Sequence, residues 1–266
     1  MKPVYVNAVG LVAPGLPGWH HGHAVLKGEA PFVDEPLTLP KPARLPTNER
    51  RRATELIRLA FQVCADAVDG RDLAVDQLAS VFASSGGDYH IVDQIFRALS
   101  KPERQVSPTQ FHNSVHNAAA GYWSIATGSQ APSTSLSGHD FTVSAGLLEA
   151  ALLCNAEQRH TLFAVYDVQP PEPLLTARPI AAPFAAALLL SPDRGPDAIA
   201  ALQCAVEPAA AGESAATDPA LETVRQGNPA ARILPLLTCL ARQQNDTVHL
   251  AMAGTQTLTV EVSTCR

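Results

Sequence analysis

Short apolar runs that alternate with amphipathic segments are the feature that most limits how this chain can fold. The runs that predict strands are Val4 to Val12, Leu78 to Ala83, Leu162 to Tyr166, Phe184 to Leu190 and Ile199 to Val206. Between them, apolar residues recur at the three- and four-residue spacing of one helix face. In the segment up to Val68 this pattern predicts one continuous helix, with Thr47 as its cap. Strands that alternate with helices predict an α/β layered fold.

The later segments complete this pattern. Phe141 to Leu153 is apolar all round, which predicts a buried helix. Val248 to Ala251 and Leu258 to Val262 predict a closing hairpin. Residues 207–219 are rich in Ala, Gly, Pro and Ser and predict an internal boundary. We therefore expect a main unit over residues 1–206 and a shorter helix and hairpin segment over residues 207–266.

Composition excludes several classes of protein. Hydrophobic residues make up 46% of the chain and charged residues 17%, which allows a real core and argues against disorder. The net charge is −6 and the basic residues cluster only at Arg50-Arg51-Arg52, so a nucleic-acid partner is not expected. The five cysteines form no CxxC motif. No segment has membrane-spanning length and the N-terminus has no leader pattern, so we expect a cytoplasmic protein.

Several motifs occur in the order found in one known family. Val4 to Gly15, Leu26-Lys27-Gly28, Val106-Ser107-Pro108 and Asn117-Ala118-Ala119-Ala120-Gly121 resemble segments of the β-ketoacyl synthases of the thiolase superfamily. The resemblance covers about residues 3–206, and the chain is similar to the short chain length factors of aryl polyene biosynthesis clusters. It implies a truncated thiolase-like α/β/α layered fold with a mixed sheet.

The catalytic residues of that family have no counterparts here. Its nucleophilic cysteine follows, by nine residues, the glycine that Gly128 resembles, and this count gives Ser137. The only late histidine, His249, lacks the family's surrounding motif. His139 and Asp140 follow Ser137 too closely for a triad, whose members come from separate elements. We therefore expect no condensing activity from this chain alone, and no metal or cofactor.

The resemblance instead implies a partner subunit. It implies a heterodimer with an active β-ketoacyl synthase, an acyl carrier protein bound to the complex, and a dimer strand at Gln130 to Ser135. A chain length factor walls off the tunnel that holds the growing acyl chain of a polyene, polyketide or fatty-acid-type product. The positions expected to line the tunnel or the interface are Phe111, His112, Val115, His116, Asn117, Tyr122, Trp123, Ser133 and Thr134.

Two other functions remain open at the level of sequence. One is an enzyme that uses Ser137 to hydrolyse acyl thioesters or to decarboxylate malonyl groups. The other is a non-catalytic homodimer that binds acyl thioesters. His112 and His116 have the four-residue spacing of a zinc pair, but no third ligand is evident, so core or interface histidines are expected.

Overall fold

The structure, a computed structural model, describes residues 1–208 and 212–265. Its strands form one eight-stranded sheet in the order β3-β2-β4-β5-β1-β6-β8-β7. The pairs β2–β3 and β2–β4 are parallel and the others are antiparallel, so the sheet is mixed. The strands are β1 Val4–Val12, β2 Ala79–Ala83, β3 Ser133–Leu136, β4 Thr161–Asp167, β5 Phe184–Ser191, β6 Ala200–Pro208, β7 Asp246–Ala251 and β8 Gln256–Thr264.

Helices cover both faces of this sheet. Within the described ranges the α-helices are α1 Trp19–Lys27, α2 Thr47–Arg52, α3 Glu55–Val68, α4 Tyr89–Leu99, α5 Pro108–Asn113, α6 Ala118–Thr127, α7 Thr142–Glu157, α8 Leu174–Ala177, α9 Pro219–Gly227 and α10 Leu234–Arg242. Buried residues of α3 and α6 form the core on one face. Those of α1, α7 and α10 form the core on the other face. The predicted α/β/α layers around a mixed sheet are confirmed.

The first long helical segment differs from its prediction. A single helix capped by Thr47 is wrong, because the chain breaks between α2 and α3. Ala53 is extended, and Thr54 caps α3 by accepting a hydrogen bond of 3.3 Å from the Ile57 N–H. A threonine hydroxyl can replace the backbone carbonyl as a local acceptor, which favours a helix start over helix continuation. The apolar periodicity of α3 itself matches the prediction.

The C-terminal segment continues the sheet. β8 pairs with β6 over the whole length of both strands, and β7 pairs with β8 at the sheet edge. Part of the predicted boundary region, residues 209–211, lies outside the described residues. The division of the chain at residues 206 and 207 therefore stays a prediction. None of the described helices combines the length and apolar character needed to cross a bilayer.

The outer edge of β7 is covered by a neighbouring loop. The Ser214 N–H donates to the His249 carbonyl, and the His249 N–H donates to Ser214 Oγ, both at 2.9 Å. The loop is held by Arg225, which pairs with Glu213 at 3.1 Å and with Glu222 at 2.7 Å. The central backbone groups of this edge strand are therefore already used within the chain.

Candidate functional site

Polar side chains gather where three parallel strands end. β2, β3 and β4 run in the same direction, so their carboxyl ends meet at one side of the sheet. Asp167 Oδ1 accepts hydrogen bonds from Ser84 Oγ at 3.0 Å and from both the N–H and the hydroxyl of Ser85 at 2.9 Å. Ser137 Oγ in turn donates to the Ser85 carbonyl at 2.8 Å. One hydrogen-bonded network thus ties the three strand ends together.

Ser137 has no base to activate it. Its hydroxyl donates a hydrogen bond to a backbone carbonyl oxygen, which is too weak a base to remove the proton at neutral pH. Among the described residues, no imidazole or carboxylate lies within hydrogen-bond distance of Ser137 Oγ. A serine becomes a nucleophile only when such a base takes its proton. His249 cannot serve, because it lies on β7 at the opposite end of the sheet from β3.

His139 and Asp140 are engaged elsewhere. The His139 ring approaches Asp140 Oδ2 at 3.5 Å, and only the backbone N–H of His139 approaches Ser137. Asp140 Oδ1 accepts a hydrogen bond of 2.5 Å from Arg178 Nη1. Burial raises the pKa of the Asp140 carboxyl, but the hydrogen bond and charge of Arg178 outweigh it and hold that pKa below its usual range. The three neighbouring residues therefore form no Ser–His–Asp relay.

The ion pair of Asp140 and Arg178 lies at the N-terminal end of α7, the buried helix. The resemblance implies a nucleophile where that helix begins, and here α7 is preceded by a 3-10 turn over His139–Phe141. Ser137 lies just before this turn. Arg178 follows α8 in the Pro-rich loop, and nothing in the local sequence pattern connects it with Asp140. Ser84, Ser85 and Asp167 could have been found, since polar residues directly after apolar strands mark the carboxyl edge where sites form.

The predicted tunnel positions lie mainly around one exposed cavity. A cavity of about 400 Å³ opens between α5 and α6. Of the predicted residues, it is lined by Phe111, His112, Val115, Asn117 and Tyr122. Phe111 and Val115 are 69% and 50% exposed, which is high for large apolar side chains. The structure therefore brings five of the nine predicted positions together.

A second cavity adjoins the first along α6. It has a volume of about 440 Å³ and includes His116, Asn117 and Ser133 from the predicted set. Asn117 and Gly121 line both cavities. His116 Nε2 lies 3.0 Å from the Ser84 carbonyl, whereas the His112 ring packs edge-on against Tyr122. The two histidines thus point to different partners.

Three of the predicted positions are held by contacts within the chain. Trp123 is 2% exposed and packs edge-on against Phe61, with ring centroids 5.4 Å apart, so it belongs to the core. Thr134 Oγ1 donates to Glu149 Oε1 at 3.3 Å. Tyr122 lines the first cavity but is itself buried, and its hydroxyl donates to Asn113 Oδ1 at 3.0 Å.

β3 is the terminal strand on this side of the sheet. The Ser80 N–H donates to the Pro132 carbonyl and the Ser84 N–H to the Leu136 carbonyl. In a parallel pair of strands, every second residue directs its backbone N–H and C=O toward the neighbouring strand. The backbone groups of Ser133 and Ser135 therefore point away from β2. No other strand of the described part of the chain pairs with them. The edge borders the second cavity, which both serines line.

Replacing Ser137 with alanine should leave product formation unchanged. The hydroxyl has no base, and its loss removes one hydrogen bond to a backbone carbonyl, at a cost of about 1 kcal/mol in stability. The measurement is product yield from the chain combined with the β-ketoacyl synthase that the resemblance implies as its partner, with circular dichroism as a check on folding. A variant that folds and assembles normally but gives no product would support the serine enzyme instead.

Comparison with known proteins bears on the family and the fold. Residues 25–257 match the family model described as beta-ketoacyl synthase, N-terminal domain, so the match extends beyond the predicted limit of residue 206. No curated protein matches the chain. Among solved structures, the chain is similar to one in the complex of the ketosynthase ApeO with its chain length factor ApeC from Xenorhabdus doucetiae. The TM-score is 0.73 at 22% identity, over 98% of this chain and 100% of that chain.

Two further structures show the same fold at 13% identity. The ishigamide ketosynthase/chain length factor gives a TM-score of 0.74, over 98% of this chain and 99% of that one. The AntDE:AntF complex, a type II polyketide synthase acyl-carrier protein with its ketosynthase bound to the hexaketide, gives 0.75 over 99% of both chains. The chain therefore has a thiolase-like fold and belongs to the β-ketoacyl synthase N-terminal domain family.

Proposed function

We propose that this chain is a chain length factor, a non-catalytic subunit that pairs with an active β-ketoacyl synthase. It shapes the tunnel that holds the growing acyl chain in polyene, polyketide or fatty-acid-type biosynthesis. The observation that carries the proposal is the open edge of β3 beside the exposed apolar residues of α5 and α6. Both features lie on one surface of the chain, where a partner could add a strand and cover the apolar residues.

The β3 edge supports pairing with a second sheet. An exposed strand offers a row of N–H and C=O groups that another strand can bind. The outward groups of Ser133 and Ser135 are of this kind, and a partner strand would extend the sheet across the interface. Main-chain hydrogen bonds would provide the attachment, and the neighbouring side chains would provide selectivity.

Apolar side chains next to this edge support the same surface. Phe111, Val115 and Ile125 are 69%, 50% and 53% exposed, and all three line the first cavity. That cavity adjoins the second one, which includes Ser133 and Ser135 of β3. Contiguous exposed apolar groups mark interaction sites in soluble proteins. We define this surface, formed by β3, α5 and α6, as the edge surface.

A non-catalytic role follows from the chemistry of the strand ends. Decarboxylative condensation needs a nucleophile to carry the acyl group and donors to stabilise the negative charge that develops. Among the described residues, Ser137 Oγ has no imidazole or carboxylate within hydrogen-bond distance, and the nearby His116 ring is engaged with the Ser84 carbonyl. The ion pair of Asp140 and Arg178 occupies the head of α7. The active synthase would therefore supply all of the catalytic groups.

The partners are proposed from the named complexes. Two of the similar chains occur in complexes named for a ketosynthase and a chain length factor, and the third occurs in a complex of an acyl-carrier protein with its ketosynthase. We therefore expect a heterodimer with a synthase, to which an acyl carrier protein binds. The synthase encoded nearest to this chain is the first partner to test.

Co-expression with that synthase tests the proposal. Size-exclusion chromatography with light scattering should give a one-to-one complex, and the purified pair should elongate acyl chains. The synthase alone should elongate poorly or release products of different length. A chain that remains a stable monomer beside every clustered synthase would refute the proposal. A homodimer that excludes the synthase would favour the acyl-binding homodimer.

Replacing Phe111 with alanine should lengthen the acyl product by about one two-carbon unit, because a close-packed wall limits length by excluded volume. The matched control is Phe96→Ala. Phe96 is also exposed, at 58%, but it lies on α4 and does not line the first cavity. Mass spectrometry of carrier-bound intermediates from the reconstituted pair provides the measurement. Equal length distributions for both variants, with the complex intact, would place the length limit elsewhere.

A further inference from the structure

Gly121 is a glycine that the chain itself does not require. It is the fourth of the ten residues of α6, and within a helix glycine costs about 1 kcal/mol relative to alanine. A Cβ added to it would meet no atom within 4 Å, and its backbone is ordinary helix. Neither packing within the chain nor backbone geometry therefore accounts for a missing side chain. The space beside Gly121 is open at the surface of the single chain.

The position of Gly121 indicates what could use this space. Gly121 is exposed and, with Asn117, lines both cavities of the edge surface, so it lies where they meet. On one side are apolar groups, among them Phe111 and Ile125. On the other side are polar groups, among them His116 and Ser135. Gly121 therefore lies on α6 at the border between a mainly apolar and a more polar cavity.

We infer that Gly121 is a specificity-determining residue, over which the acyl chain passes from the polar to the apolar cavity. This inference rests on the proposed function, since the partner synthase would form the opposite wall. The bare backbone leaves the passage deep enough for an unbranched chain of methylene or polyene carbons. The chain can then reach the apolar cavity without a bend. A side chain at position 121 would divide the two cavities and stop the chain early.

A graded series at this position tests the inference. Gly121→Ala, Gly121→Val and Gly121→Leu should shorten the main product in steps. With leucine the full-length product should fall at least about tenfold, the discrimination typical of one methylene group in a tight apolar site. Gly121→Ala should also leave unchanged or raise the melting temperature of the chain alone, since alanine is the better helix former. This second readout separates a blocked passage from a folding defect.

The matched control is Gly195→Leu. An added Cβ at Gly195 also meets no atom within 4 Å, and this residue lines a different cavity, next to His160 and Ser191. Its product lengths should equal those of the unaltered chain. Unchanged lengths in the Gly121 series, with the complex intact, would overturn the inference. Loss of the complex in Gly121→Leu would also overturn it, because the space would then hold the backbone of the partner.

The same experiment distinguishes a failure of the proposed function from a failure of the inference about Gly121. If the unaltered chain forms no complex and leaves the length distribution of the synthase unchanged, the proposed function fails and the inference fails with it. If the unaltered pair works and only the Gly121 series has no effect, the proposed function stands and the inference alone fails. Mass spectrometry of carrier-bound intermediates and light scattering therefore suffice for both decisions.

Discussion

Replacing Ile125 with aspartate should separate the proposed heterodimer into its subunits. Ile125 is 53% exposed in the single chain and lines the first cavity of the edge surface. The partner would cover this position, so the new carboxylate would be buried without a counter-charge. An uncompensated buried charge costs about 3 kcal/mol or more. The dissociation constant should therefore rise by about a hundredfold or more.

The matched control for this substitution is Val206→Asp. Val206 is exposed to a similar degree, at 43%, but it lies on β6, away from β3 in the strand order. This variant should bind the synthase as the unaltered chain does. Light scattering and isothermal titration calorimetry provide the measurements, and circular dichroism confirms that both variants fold. An Ile125→Asp chain that binds with unchanged affinity would show that the partner attaches elsewhere.

The stability of the chain should fall as the pH rises from about 4 to about 6, because of Asp167. Burial raises the pKa of this carboxyl from 3.8 to about 6, although hydrogen bonds from Ser85 and Ser84 favour the ionised form. The folded state thus holds the proton more tightly than the unfolded state. The stability that this group contributes is complete below pH 4, declines through the window and has been lost above pH 6. The shift corresponds to about 3 kcal/mol.

The substitution Asp167→Asn isolates this effect. Asparagine has no charge to bury, and its carbonyl oxygen can still accept the hydrogen bonds from Ser84 and Ser85. Urea unfolding gives the free energy of unfolding of both proteins at pH 4.5 and at pH 7.5. The difference, variant minus unaltered chain, should be larger at pH 7.5 than at pH 4.5 by about 2 kcal/mol. Other groups titrate in both proteins and cancel in the difference. Parallel pH profiles would show that Asp167 is ionised in the folded state at both pH values.

The fold was predictable from the sequence because local patterns determine it. β1 occupies the predicted range Val4–Val12, and α7 overlaps the predicted buried helix almost completely. Apolar periodicity is a property of neighbouring residues, so it can be read without the tertiary structure. The break between α2 and α3 was missed because a hydroxyl at Thr54 competes with an otherwise helical pattern.

The site was less predictable, because its contacts join distant residues. Asp140 and Arg178 pair across 38 positions, and the Pro-rich loop that brings them together has no periodic pattern. Trp123 follows Tyr122 directly, yet it packs on Phe61 in the core, because neighbouring residues of a helix point in different directions. The resemblance named individual positions on or near α5 and α6, and five of the nine line the first cavity, whereas Ile125 was missed. Which side chains face outward depends on how these helices pack.

The two edges of the sheet differ in whether their backbone groups are free to pair, and this difference limits how large an assembly can become. The β3 edge offers its backbone groups outward, whereas Ser214 already occupies the centre of the β7 edge. A sheet that is open on both sides can add subunits without end and form filaments. Of the two sheet edges in the described part of the chain, the β3 edge is the open one, so the proposed edge-to-edge contact with a related subunit would use up the open side of both. Growth by sheet addition would then stop at two subunits.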